Sequence, residues 1–378
     1  MKEKNKMKIC YIADLGSIHA RRWAEWFVNR GHEVHVISPG EQKVTIERNV
    51  HIHKPNIENC STIIKKLPFK SKWIDIWLCR KVIKEINPDI VHGHFITNSG
   101  LPTIFSGNYP KVVSAWGSDV LIIPKESMKE RLKLKYVLRK VDIIHSFAEN
   151  LTDELISLGA DKEKIVTISP SVNTQNFNPD NDGSKIRKLL DWDNNPIVIS
   201  TRAFKPIYDI ECLINAIPII TKKIPNARFI IKGEGFSENK LKTMVKELGI
   251  SDSVKFIGYV QYNELANYLS CADVYVSTSL SEGLGISNLE AIACGLPAIL
   301  ADITSTRNLM KKGLSITLFP PKNSKILAEK IIYSIKNRES EEIKKENFQI
   351  IKENFDYNIN MKKIEQSYKN LIERLSRK

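Results

Sequence analysis

Short apolar runs alternate along the chain with longer segments whose apolar positions recur every third or fourth residue. The runs predict buried strands and the longer segments amphipathic helices, and their alternation predicts parallel sheets covered by helices. Residues 9–13, 34–38, 89–92, 112–115 and 143–147 read as strands in the first half, and 197–200, 229–232, 254–257, 274–277 and 298–301 in the second. Between the first two runs, Trp23, Trp26 and Phe27 recur at helical spacing until Gly31 and His32 end that helix. Near the end, residues 357–375 read as a helix with Met361, Ile364, Tyr368 and Leu371 on one face.

The pattern breaks once, at residues 170–185, P-S-V-N-T-Q-N-F-N-P-D-N-D-G-S-K, a composition of turn formers that predicts an interdomain linker. With 378 residues the chain exceeds what one core serves, so two domains are expected.

An apolar share of 42% with 26% charged residues is that of a globular protein able to bury a sizeable core. The six cysteines, at 10, 60, 79, 212, 271 and 294, show no paired spacing and mostly sit in apolar runs, which predicts a reduced, cytoplasmic setting without a zinc site. The Lys-rich N-terminus leads into an apolar run too short for a signal peptide, and no window approaches the roughly 18 apolar residues of a membrane span. A net charge of +14 points to an anionic partner: nucleic acid, a membrane surface or a phosphorylated substrate.

Two stretches concentrate that charge. From Lys65 to Lys84 there are seven Lys or Arg against one Asp, interleaved with Leu67, Phe69, Trp73, Ile76, Trp77 and Leu78; from Lys125 to Lys140 there are seven against two Glu. Basic residues among tryptophans fit an interfacial contact with an anionic membrane, and they also fit a solvated helix over an ordinary core stripe.

Open parallel sheets bind ligands beyond the carboxyl ends of their strands. Gly16 follows the first strand; His92, His94 and the Trp116-Gly-Ser-Asp119 segment follow later ones; Arg202 and Lys205 follow strand 197–200 like a phosphate clamp. The densest chemistry lies in residues 281–300, S-E-G-L-G-I-S-N-L-E-A-I-A-C-G-L-P-A-I-L, which reads as loop, helix and strand. Gly283 and Gly285 let the backbone approach a ligand, Ser287 opens a helix, and Gly295 with Pro297 closes it. A loop feeding a helix N-terminus favours an anion such as a diphosphate. Glu282 lies on that loop without an evident packing role. Glu290 reads two ways, as a ligand carboxylate or as the partner of Ser287 in a capping box.

These pieces, in this order, resemble the retaining glycosyltransferases of family 4, the group 1 enzymes of the GT-B fold, over most of the chain. The 281–300 stretch resembles the family's pair of Glu residues separated by seven others and followed by A-I-A-C-G-L-P. R-G-H-E-V at 30–34, W-G-S-D at 116–119, P-S-V-N with Phe177, F-I-G-Y-V at 256–260 and A-D-V-Y-V at 272–276 support it. The resemblance implies an α/β, GT-B architecture of two Rossmann-like parallel-sheet domains facing across a cleft. The N-terminal, acceptor-side domain would span 1–175 and be completed by a returning helix at 355–378; the nucleotide-sugar domain would span 176–354.

The resemblance also implies roles. Glu282 would contact donor-sugar hydroxyls and Glu290 the ribose, Arg202 and Lys205 would meet the diphosphate, and the backbone of Gly16, Gly258, Gly283, Leu284 and Gly285 would complete the donor site. Such a cradle neutralises the departing diphosphate electrostatically, so no metal and no other cofactor is expected. Four departures stand out. Trp116 occupies a place where the family often has His, which leaves His94 and Asp119 as acid/base candidates. Lys205 comes sooner after Arg202 than the family's second cation, with Tyr208 near the usual place. Pro-Ser-Val-Asn replaces the commoner Asn-Gly-Val-Asp, and residues 303–307 replace a Gly-Gly-x-x-Glu element.

The expectation is therefore a cytoplasmic enzyme, peripheral at the inner face of the cell membrane. It would transfer a sugar with retention from a nucleotide-diphosphate donor to a glycan or lipid-linked acceptor, as in surface polysaccharide synthesis, with no nucleic acid partner. A GT-B nucleotide-sugar epimerase or hydrolase is the alternative among enzymes. A basic nucleic-acid-binding protein would explain the charge but leaves the 281–300 loop without a use.

Overall fold

The computed structural model describes residues 6–38, 49–54, 72–169, 172–337 and 339–377. The chain divides into two compact units, Met1–Ile168 with Met361–Lys378 and Ser169–Asn360, each built on one parallel sheet as the alternation predicts.

In the first unit, β1 (Lys8–Ile12), β2 (Glu33–Ile37), β3 (Val50–His53), β4 (Ile90–His94), β5 (Lys111–Ala115), β6 (Ile143–Ser146) and β7 (Ile165–Thr167) lie in the order β3-β2-β1-β4-β5-β6-β7. Cys10 on β1 pairs with His35 on β2 and with Val91 on β4, so the winding reverses between β1 and β4. A crevice opens at such a reversal, beyond the carboxyl ends of both strands. β3 and β7 were not anticipated, because V-H-I-H and I-V-T are too short and too polar to stand out as buried runs. β4 continues two residues past the expected end and takes His94 into the sheet.

Helix Ile18–Asn29 turns Trp23, Ala24 and Phe27 into the core, where Trp23 is 1% exposed. The last helix, Tyr357–Ser376, buries Met361, Ile364, Tyr368 and Leu371. Hydrogen bonds fix its part from Met361 onward in this unit: His92 with the Tyr368 hydroxyl, His145 Nε2 with Ser367 Oγ at 3.0 Å, and Arg30 donating to Glu365 at 2.8 Å.

In the second unit, β8 (Ile197–Ser200), β9 (Arg228–Lys232), β10 (Val254–Ile257), β11 (Val274–Ser277), β12 (Ala298–Ala301) and β13 (Thr317–Phe319) lie in the order β10-β9-β8-β11-β12-β13. The winding reverses between β8 and β11. Apolar clusters line both faces of this sheet.

The stretch expected as a linker belongs to the body of the second unit from Val172 onward. Val172 bridges Asp356, and Phe177, fully buried, packs against Tyr262 with ring centroids 5.2 Å apart. Two apolar residues suffice to anchor an otherwise polar run; Pro170 and Ser171 lie outside the described residues.

Helices Lys72–Ile86 and Met128–Lys140 both pack on helix Ile96–Ile104 in the first unit. The first buries Ile76, Cys79 and Ile83 while Trp73 and Trp77 stand out at 64% and 46% exposure, in line with exposed Arg80 and Lys84. The second buries Leu134, Val137 and Leu138, and exposes Met128, Leu132 and Tyr136. The tryptophans are thus not core anchors. Residues 65–71 of the first basic stretch, with Leu67 and Phe69, lie outside the described residues.

Candidate active site

β8 ends at Ser200, and the chain carries Arg202 into the reversal point of the second sheet, where its side chain is buried. The guanidinium forms an ion pair with Glu282 through Nη2 and donates from Nη1 to Ser287 Oγ. Its carbon lies 4.3 Å from the centroid of the Tyr208 ring. Burial opposes the positive charge, but Glu282, Tyr275 and Tyr208 outweigh it and raise the Arg202 pKa. Arginine Nε is buried without a hydrogen-bond partner.

The opposite wall is the segment after β11. Gly285, left-handed at φ 74°, is the N-cap of helix Ile286–Ala293. A Cβ on Gly285 would lie 2.1 Å from Glu282 Oε2 and 2.5 Å from Asn288 Nδ2, so only glycine fits here. Asn288 Nδ2 donates to Glu282 Oε2 at 3.4 Å, and the Tyr275 hydroxyl donates to Asn288 Oδ1 at 3.1 Å. Glu282 is thereby held on a helix N-terminus next to a cation, where backbone amides also favour negative charge.

Of the two readings of Glu290, the capping box with Ser287 is not formed. The helix starts at Ile286, its N-cap has no side-chain hydrogen bond, and Ser287 is turned to Arg202. Glu290 is the fifth helical residue, buried, within electrostatic reach of Lys232 at the end of β9. Burial lowers the Lys232 pKa against the attraction of Glu290 and Glu234. Gly233 and Gly235 follow, packed so closely on the Arg202–Phe204 backbone that a Cβ would come within 2.1 Å and 2.4 Å of its carbonyl oxygens. Their role is this close approach of two loops.

Gly283 is buried and Leu284 half-buried in the same loop, whereas Lys205 is exposed at the start of the turn Pro206–Tyr208. Gly258 lies at the end of β10 beside Glu234, whose carboxylate accepts the Tyr259 amide at 3.0 Å. Among the described residues no three His, Cys, Asp or Glu side chains are placed to hold one metal ion.

In the first unit, Gly16 follows β1, and its amide donates to Asp14 Oδ1 at 2.8 Å. His92 is a structural residue, bonded to the Tyr368 hydroxyl and, at 2.6 Å, to Ser114 Oγ. His94 differs: both ring nitrogens are buried without a hydrogen-bond partner, among Tyr11, Trp23, His92 and Trp116. Burial, with His145 and His19 adding to it, pushes its pKa down to about 3, so it is neutral.

Asp119 is fully buried and accepts the amides of Ile96, Trp116 and Gly117 at 2.9, 3.0 and 2.9 Å. Burial raises its pKa to about 6 against those amides. The carboxylate clasps the end of β4, where Phe95 is held at φ 64°, to the end of β5. With both oxygens so engaged, the geometry favours a loop clasp over the acid/base role expected for Asp119.

The profile described as "Glycosyl transferases group 1" matches residues 182–349, and that described as "Glycosyl transferase 4-like" matches residues 8–147. The chain belongs to the group 1 glycosyltransferases. As such it is a nucleotide-sugar-dependent glycosyltransferase of GT-B architecture. The enzyme is 22% identical over 349 residues to the N-acetyl-alpha-D-glucosaminyl L-malate synthase of Bacillus anthracis, covering 88% of this chain and 89% of that one. It is 30% identical over 173 residues to a GDP-mannose-dependent monoacylated alpha-(1-6)-phosphatidylinositol monomannoside mannosyltransferase of Corynebacterium glutamicum, covering 44% and 42%. Its fold is shared with Anabaena HepE solved with UDP and glucose, at TM-score 0.80 and 19% identity, over 96% of this chain and 100% of that one.

Three residues at the site of this glycosyltransferase are not singled out by the sequence: Tyr275 and Asn288, which support Glu282, and Lys232 near Glu290. Tyr275, Asn288 and Lys232 carried one legible signal, a polar atom near the binding end of an otherwise apolar strand or helix.

Proposed function

We propose that the enzyme transfers a sugar with retention from a nucleoside-diphosphate donor bound in the second unit to a lipid-linked glycan at the inner face of the cell membrane. The observation that carries the reading is Arg202, buried at the end of β8 and shared between Glu282 and Ser287 at a helix N-terminus. A diphosphate on that helix would draw the guanidinium to itself, releasing Glu282 toward the hydroxyls of the sugar. Charge building on the departing diphosphate would be met by a cation already in place, which lowers the barrier. Glu290, beside Lys232, would accept the ribose hydroxyls.

The acceptor side is supported by the first unit's surface. Trp73 with Trp77, and Met128, Leu132 and Tyr136, form exposed aromatic and apolar stripes among Lys and Arg on two helices flanking a third. Such stripes suit an anionic bilayer interface. Among the described residues no helix is long and apolar enough to cross a membrane.

The test is a thermal-shift panel of UDP-, GDP- and ADP-sugars on wild-type enzyme and Glu290→Ala. One base series should raise the wild-type midpoint and lose that effect in the variant. Undiminished binding and turnover by Glu290→Ala would overturn the site. For the membrane, sedimentation with anionic vesicles at low salt should fall in Trp73→Ala/Trp77→Ala; a wild-type protein that ignores such vesicles would remove the membrane from the reading. Retention is read from the anomeric configuration of the product by NMR.

A further inference from the structure

We propose that Tyr208 is a positioning residue for Arg202, an aromatic platform that aims the guanidinium at the donor diphosphate where a second cation would otherwise stand. This rests on the reading that Arg202 meets the diphosphate. Three observations support it.

The guanidinium carbon sits 4.3 Å from the ring centroid, within the range of cation–π attraction, which strengthens as the pair is removed from water. Face contact with a ring leaves the edges of the planar guanidinium for oxygen ligands. Glu282 and Ser287 take two of its five N–H donors from the edge, and a third, Nε, is buried without a hydrogen-bond partner.

The backbone that carries the ring is also held in place. Its residue closes the turn Pro206–Tyr208, with the Tyr208 amide donating to the Lys205 carbonyl at 2.9 Å. Thr278 Oγ1 donates to the Tyr208 carbonyl at 2.7 Å, and the Leu280 amide to the Ile207 carbonyl at 2.8 Å. Thr278 and Leu280 belong to the segment that leads into Glu282, so platform, cation and carboxylate hang on one framework.

Charge completes the case. Arg202 is balanced by Glu282, whereas Lys205 is exposed. An aromatic ring attracts the guanidinium without placing a second positive charge against it, as a lysine at this position would.

The experiment measures dissociation constants of UDP and UMP, with GDP and GMP alongside, by calorimetry on the full-length enzyme and on Tyr208→Phe, Tyr208→Leu, Tyr208→Met and Arg202→Ala. The preference for diphosphate over monophosphate isolates the outer phosphate. Tyr208→Phe should keep the wild-type preference, and Tyr208→Leu should reduce it about five- to tenfold, with monophosphate affinity little changed. Tyr208→Met, of similar bulk without a ring, should behave as Leu and serves if the Leu variant folds poorly. An unchanged preference in the Leu and Met variants, or equal weakening of both nucleotides, would overturn the platform. If Arg202→Ala also kept the full preference, the assignment of Arg202 itself would fall, which is a separate result.

Discussion

Arg202 and Glu282 form an ion pair whose side chains are only 9% and 4% exposed. Such a pair adds little net stability beyond an apolar substitute, but removing one member strands the other charge away from water. Glu282→Ala and Arg202→Ala should each destabilise the second unit by about 3 kcal/mol. The double variant should lose much less than the sum of the two, because no charge is then left unpaired. Urea unfolding of the four proteins checks this; additive losses would mean that the two residues do not act as a pair.

Gly285 cannot carry a side chain without moving Glu282. Gly285→Ala forces a left-handed Ala, at roughly 1–2 kcal/mol, and drives a methyl group into the Glu282 carboxylate. Turnover should fall on the order of a hundredfold through misplacement of that carboxylate. Gly258→Ala is the contrast: its Cβ would meet Glu234 Oε1 at 3.4 Å, an ordinary contact, so activity should be retained. Steady-state kinetics of both variants, with unfolding midpoints alongside, separate misplacement from instability.

The first unit should weaken in acid. Burial holds His94 and His145 at about 3 and His92 well below 6.5, whereas the unfolded chain titrates near 6.5. Their contribution is therefore complete above pH 6.5 and is lost as the pH falls toward 3, at up to about 1.4 kcal/mol per pH unit for each histidine. Asp119 works against them: its folded pKa of about 6 lies above 3.8, so between those values folding takes up a proton and offsets one histidine. Tryptophan fluorescence reports mainly on this unit, which holds Trp23, Trp26, Trp73, Trp77 and Trp116, against Trp192 in the other. Urea unfolding between pH 7 and 5 should show the decline, and His94→Gln should shallow it; a flat profile would contradict buried neutral histidines.

Asp119→Ala should cost about 3 kcal/mol, since three buried amides lose a charged acceptor. Residual activity should follow the folded fraction, and the pH–rate profile should keep its shape. Loss of one limb of that profile would return Asp119 to acid/base chemistry.

Much of this was legible in the chain because the relevant signals are local. Strand-length apolar runs set between helical periodicities are enough to call two parallel sheets, and Arg202 and Glu282 follow predicted strands at places where such sheets bind ligands. The readings that depend on distant neighbours came out otherwise. A capping box at Ser287 and Glu290 has the right spacing, yet Gly285 takes the cap through its left-handed backbone, and Arg202, 85 residues away, claims the Ser287 hydroxyl. Nor does the local sequence show that the Asp119 carboxylate accepts the amide of Ile96, from another strand end, and so joins two loops. The polar stretch after Ile168 looked like a linker because composition does not show that Phe177 finds Tyr262.

By itself, then, the sequence determined the two α/β units, the run of carboxylates and cations at their strand ends, and the family these motifs resemble, because apolar period and glycine placement act over a few residues. Only the tertiary structure decided what each polar group does: that Arg202 lies on the Tyr208 ring, that Trp73 and Trp77 face outward, and that His94 is left neutral and without a hydrogen-bond partner. Burial and hydrogen-bond partners arise between segments far apart in the chain, and those two quantities set the charge and availability of a side chain.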